Sequence, residues 1–77
     1  MENAKRMIEE KAKEIFKENL VNIEFVEFID ELYVTPIFNY NVWEEERTAG
    51  LNQLKLLPLP KDITVYFLFK YDDGSRR

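Results

Sequence analysis

Neither histidine nor cysteine occurs among the 77 residues of this chain. Without histidine, the commonest general base and metal ligand is missing, along with every catalytic triad that depends on it. Without cysteine there is no thiol nucleophile, no thiolate zinc site and no disulfide to brace a small fold. Glycine is nearly as scarce, with Gly50 and Gly74 alone, and this excludes the phosphate-cradling loops and dinucleotide fingerprints that need several. The only serine, Ser75, lies near the C-terminus with no base close to it in sequence. No apolar run approaches the ~20 residues of a membrane span, and the N-terminal MENAKRMIEEKAKE mixes charges where a signal peptide needs an apolar stretch. These absences lead to the expectation of a cytoplasmic protein, of a cell or of an infected host, that is not an enzyme and carries no cofactor or metal.

Carboxylate pairs are the remaining route to acid–base chemistry, since glycosidases need only two acids at a set separation. Glu24 with Glu27, and the run Glu44, Glu45, Glu46, nevertheless read as solvated surface, because so short a chain is poorly able to build a cleft that desolvates a sugar. Asp72-Asp73-Gly74-Ser75 lacks the spaced ligands and closing glutamate of a calcium loop and reads as a turn.

What is present suffices for a core. Hydrophobic residues make up 45% of the chain and aromatics 14%, far from the composition of a disordered segment. The length fits one domain, residues 1–77, with a polar tail at 72–77. Folding a chain of this size removes only about 60% of its unfolded surface from water, so stability is modest and rests on apolar packing.

Ala4, Met7, Ile8, Ala12, Ile15 and Phe16 recur at steps of three and four, which predicts an amphipathic helix over Asn3–Asn19. Glu2 with Arg6 and Glu9 with Lys13 stand in the favourable i, i+4 order on its outer face. Beyond Asn19 the period becomes two. Val21, Ile23, Phe25 and Ile29 share one face, with Glu27 the exception. A two-residue turn at Asp30-Glu31 would pair Ile29 with Leu32 and set Leu32, Val34, Phe38, Tyr40 and Val42 on that same face. Pro36 cannot donate to a ladder, which suggests an edge or a bulge there. Asp62–Tyr71 alternates again, with Ile63, Val65, Phe67, Phe69 and Tyr71 on one face and Thr64, Tyr66, Leu68 and Lys70 on the other. Glu44–Leu57 reads as a helix from its acidic start and its leucine spacing, although Gly50 opposes this by about 1 kcal/mol and a hairpin turning at Thr48-Ala49-Gly50 is the rival. Leu57-Pro58-Leu59-Pro60 is a stiff connector. The fold class is therefore α+β, an N-terminal amphipathic helix packed on a three- to four-stranded antiparallel sheet in the order αββαβ, or αββββ. Ile15, Phe16, Phe25, Val34, Phe38, Phe67 and Phe69 form its expected core.

The net charge of −4 is unevenly distributed. Residues 20–54 hold seven acids, Glu24, Glu27, Asp30, Glu31, Glu44, Glu45 and Glu46, against Arg47 alone. An acidic stretch of this kind disfavours direct nucleic-acid binding and favours a basic protein partner. The same stretch carries a second, partly apolar sheet face, on which Phe28 falls opposite Tyr33 and which Tyr66 and Leu68 extend if the last strand lies alongside. Coverage of that face by residues 44–57, a homodimer contact and a separate protein partner are the three readings. The functional expectation is a small acidic protein-binding module, an inhibitor of a larger basic partner that handles nucleic acid. Its binding residues would be Glu24, Glu27, Phe28, Asp30, Glu31, Tyr33, Trp43, Glu44, Glu45 and Glu46. The alternative is a homodimeric accessory or structural domain that uses the second face as its dimer contact.

Overall fold

A computed structural model describes residues 2–72. The expected tail beyond Asp72, including Gly74 and Ser75, lies outside the described residues.

The first helix, α1, spans Glu2–Phe16. Ala4, Ile8, Ala12 and Phe16, each four residues from the next, form its buried ridge. Lys17 takes a positive φ of 54°, a left-handed conformation that ends the helix and leads into a 3₁₀ turn at Lys17–Asn19, where the sequence pattern continues the helix. Strand β1 (Leu20–Glu27) and strand β2 (Glu31–Phe38) follow and pair antiparallel. Their turn sits one residue earlier than expected, at Ile29-Asp30, closed by the Phe28 N–H donating to the Glu31 carbonyl at 2.8 Å. Glu27, not Ile29, therefore pairs with Leu32, and Val26, not Phe28, pairs with Tyr33. Moving a two-residue turn by one position shifts every pair by two, so each side chain keeps its face while Ile29, expected on the same strand face as Ile23 and Phe25, enters the turn and is 99% exposed. Val21 bulges between Leu20 and Asn22 and is likewise exposed.

Helix α2 spans Glu44–Lys55, so the helical reading of this segment holds and its hairpin rival does not. The last strand is divided into β3 (Thr64–Phe67) and β4 (Lys70–Tyr71), both paired with β2. The αββαβ order is the expected one, but this strand runs parallel to β2, so the sheet is mixed. The reason lies in α2, since a strand joined to its neighbour by a helical crossover returns in the same direction. β2 is thus the central strand, and Pro36 sits neither at an edge nor at a bulge. β3 and β4 keep the same offset of 33 residues against β2, Glu31 with Thr64 and Ile37 with Lys70. Carbonyls of Asp30, Val34 and Phe38 accept from the N–H groups of Thr64, Leu68 and Asp72. The N–H that Pro36 lacks is the one this pattern would direct at residue 68, which accounts for the break between β3 and β4.

Both helices lie on one side of the sheet. Ile8, Ala12 and Phe16 of α1, Leu54 of α2, Leu32, Val34 and Phe38 of β2 and Val42 share a single core, with Ile15, Phe25 and Phe67 packed against it. Gly50 is buried where α2 crosses α1, and a Cβ there would stand 2.3 Å from Phe16 Cζ and 2.7 Å from Cε1. The glycine that weakens the helical reading is what lets the helices approach. Phe69, expected in the core, is 44% exposed at the sheet's far end, with the Arg47 guanidinium 4.0 Å above its ring. Tyr40 is exposed too, stacked on Tyr71. The Tyr71 hydroxyl donates to the Val42 carbonyl and accepts from Arg47, each at 3.2 Å, tying α2 to the end of β4.

Candidate functional site

Because α2 packs beside α1, neither helix covers the opposite face of the sheet, and the reading in which residues 44–57 cover it is corrected. Alternation along the strands fixes what that face presents. Val26 pairs with Tyr33 and Tyr33 with Tyr66, so these three form one rung across the sheet. Glu24 and Thr35 form the next, extended to Leu68 by the constant offset of the last strand, and Asn22, Ile37 and Lys70 form the third. Phe28 leans over the first rung from the hairpin tip.

The rings on this face contact one another. Phe28 meets Tyr33 edge-on at 5.6 Å, and Tyr33 stacks on Tyr66 at 4.8 Å. These geometries suit aromatic quadrupoles and hold the rings in fixed positions. Loss of surrounding water holds the Tyr33 phenol above its usual range, and the neighbouring Glu31 and Tyr66 add to this. Even so, Val26, Phe28, Tyr66 and Leu68 remain 40–56% exposed. Across the face Lys70 Nζ reaches Glu24 Oε1 at 3.3 Å, an ion pair that passes over the central strand from one outer strand to the other.

The residues singled out from sequence separate into three places. Glu24, Phe28 and Tyr33 belong to the open face, with Asp30 and Glu31 beside Phe28 at the hairpin tip. Glu27 projects from the other face of β1, where it accepts a hydrogen bond from Lys5 of α1. Lys5 also lies 5.8 Å from the centre of the Phe25 ring. That hydrogen bond holds the Glu27 carboxyl below and the Lys5 amine above their usual ranges. Trp43, Glu44, Glu45 and Glu46 form the start of α2, after the far end of β2, roughly 25 Å from the tip at ~3.3 Å per strand residue. There Glu46 accepts from the Trp43 N–H at 3.2 Å, and the three acids complement the helix dipole while the indole is exposed. The acidic stretch is therefore continuous in sequence and divided in space.

Val26, Ile37, Tyr66, Leu68 and Lys70 complete the open face, although none is among the expected binding residues. Alternation places Tyr66, Leu68 and Lys70 on one side of their strand; the missing piece is where that strand lies and which side the second helix takes. Among the described residues no group of three or more acids stands close enough to hold a metal ion, and no helix is long and apolar enough to cross a membrane. No family model matches this chain, and neither the comparison with curated proteins nor that with solved structures returns a match.

Proposed function

We propose that this protein works by binding protein rather than by catalysis, and that the open sheet face is its binding surface. The supporting observation is the rung Val26, Tyr33, Tyr66, with Phe28 and Leu68 next to it, half-exposed on the side that both helices leave bare. A contiguous apolar and aromatic patch of this extent costs solubility unless something covers it, and such patches mark interaction surfaces. Aromatic rings already ordered by mutual contact lose little freedom on binding, which is what makes tyrosine an effective anchor.

The test is a paired substitution on the face, Tyr66→Lys with Leu68→Lys, beside a control on the outer face of α1, Glu14→Lys. Circular dichroism first establishes that both proteins are folded. Association with protein, a second copy included, is expected to be lost in the first and kept in the second. Association that survives the paired substitution in folded protein overturns the reading.

A second reading has its own observation, the grouping of Phe28 with Asp30 and Glu31 at the hairpin tip, and it retains the basic partner expected from the charge distribution. An acidic rim around an aromatic anchor speeds encounter with a basic surface, so Asp30→Lys with Glu31→Lys is expected to slow that association most at low salt.

A further inference from the structure

We infer that residues 69–72, the far end of the last strand, form a hinged strap that opens as a unit while the rest of the fold stays closed, and that Arg47 of α2 is its clasp. The hinge comes from Pro36. A regular ladder would carry a bond from residue 36 of β2 to residue 68, and proline has no N–H to give. On one side of this gap β3 is paired at consecutive positions, Thr64–Phe67 against Glu31–Val34, whereas on the other β4 has only Lys70 and Tyr71 against Ile37 and Phe38. The Leu68 N–H still donates to the Val34 carbonyl at 2.7 Å, and past the gap the Asp72 N–H donates to the Phe38 carbonyl at 2.8 Å. Opening beyond such a gap breaks few ladder bonds and leaves the buried ridge of α1 packed on β2, which is the condition for local rather than global opening.

Side chains then decide how often the strap opens. Alternation turns Phe69 and Tyr71 toward the helices and Lys70 toward the open face. On the helix side the Arg47 guanidinium stands 4.0 Å above the Phe69 ring and donates to the Tyr71 hydroxyl at 3.2 Å, so one half-buried side chain grips both. The Tyr71 hydroxyl donates in turn to the Val42 carbonyl at 3.2 Å, and the Tyr71 ring stacks on Tyr40 at 5.3 Å. On the open face Lys70 holds Glu24 at 3.3 Å, but these side chains are 59% and 50% exposed, so water and salt weaken the pair. Arg47 is therefore the stronger hold. Because neighbouring residues of the strap face opposite ways, its release on the helix side also carries Lys70 away from Glu24 and breaks the ion pair that crosses the open face. The strap thus links the first turns of α2 to the far side of the sheet, and this holds whatever that side binds.

The experiment is amide hydrogen exchange of the full chain, read residue by residue by nuclear magnetic resonance and corrected for intrinsic rates, for the wild type, Arg47→Leu, Lys70→Gln and Pro36→Val. In the wild type Asp72 is expected to exchange about tenfold or more faster than Leu68, although both donate to β2. Arg47→Leu is expected to speed Asp72 by a further factor of about ten, to leave Leu68 and Val26 within about twofold of wild type, and to shift the side-chain signals of Glu24 and Lys70 on the opposite face. Lys70→Gln is expected to speed Asp72 by less than Arg47→Leu does. Pro36→Val returns the missing N–H opposite residue 68 and is expected to slow Asp72 toward the rate of Leu68, a response that simple fraying of a chain end cannot give. Asp72, Leu68 and Val26 all faster by one common factor in Arg47→Leu would mean global opening and would overturn the strap, as would folded Pro36→Val with Asp72 no slower than wild type. Asp72 unchanged in Arg47→Leu overturns the clasp, and Glu24 and Lys70 signals that stay in place there overturn the link across the sheet. Should Pro36→Val fail to fold, the contrast between Asp72 and Leu68 in Arg47→Leu decides alone.

Discussion

Gly50 shows how one side chain, or its absence, sets the position of a helix. Replacing it with alanine gains helix propensity of about 1 kcal/mol. The added Cβ, however, would stand 2.3 Å from Phe16 Cζ, and forcing apart a packed contact costs typically about 1–3 kcal/mol. The ring belongs to a residue that is itself buried against Phe38 at 4.6 Å, so it has little room to turn away. Gly50→Ala is therefore expected to lower the thermal midpoint, and a raised midpoint would show that the helices do not meet there. Glu27 offers a second test at this scale. Its carboxyl is held below the usual range by the hydrogen bond from Lys5, so its contribution is present above the ordinary glutamate range and is lost as pH falls through the depressed value. The Lys5 amine, held above its usual range by the same bond, loses its share as pH rises through the raised value. Glu27→Gln should thus be less stable than wild type at neutral pH and converge with it at acid pH. A difference in denaturation midpoint that persists unchanged into acid would contradict the pairing.

At the scale of elements, the ladders of β2 specify which amides are protected. N–H groups of Thr64, Leu68 and Asp72 donate to β2 carbonyls, and the even-numbered amides of β1 point toward β2 as that of Phe28 does. The odd-numbered amides of β1, such as those of Ile23 and Phe25, point away from the sheet at its free edge. Hydrogen exchange is expected to be slow at Leu68 and Val26 and fast at Ile23 and Phe25. Slow exchange throughout β1 would mean that another strand adds to this edge, a different mode of association from the one proposed.

The same elements show what can be read in advance. The stripe of α1 and the period-two faces of β1, β2 and the last strand are legible because each is a repeat within a few residues of chain. The turn at Ile29-Asp30 falls one residue from its expected place because either position preserves every face, and no glycine or asparagine marks the choice. Pro36 reads as an edge marker because sequence reveals its missing donor but not the strand it faces. The direction of the last strand and the side taken by α2 depend on contacts between distant segments, Gly50 with Phe16 above all, and local periodicity carries no signal of them. For the same reason, the face with Phe28 and Tyr33 can be listed from sequence, but not that it stays open, nor that Lys70 completes it.

Across the molecule, the described residues place two helices on one side of the sheet and none on the other, which makes the fold asymmetric. Its single core lies between the helices and the sheet, while the opposite face carries Val26, Tyr33, Tyr66 and Leu68 to the surface. Of the acids that dominate the middle of the sequence, Asp30 and Glu31 stand at the hairpin tip, Glu44, Glu45 and Glu46 at the start of α2, Glu24 on the open face and Glu27 on the helix side, so they do not form one patch. The claim that the bare face is where the protein makes its contacts is tested most directly by following backbone and side-chain nuclear magnetic resonance signals as the protein is taken from dilute to concentrated solution. Shifts are expected at Val26, Tyr33, Ile37, Tyr66, Leu68 and Lys70, with the outer residues of α1 and α2 unmoved. Signals that move on the helices alone, or a spectrum that does not change with concentration and shows Tyr66 and Leu68 already shielded from solvent in the dilute monomer, would contradict it.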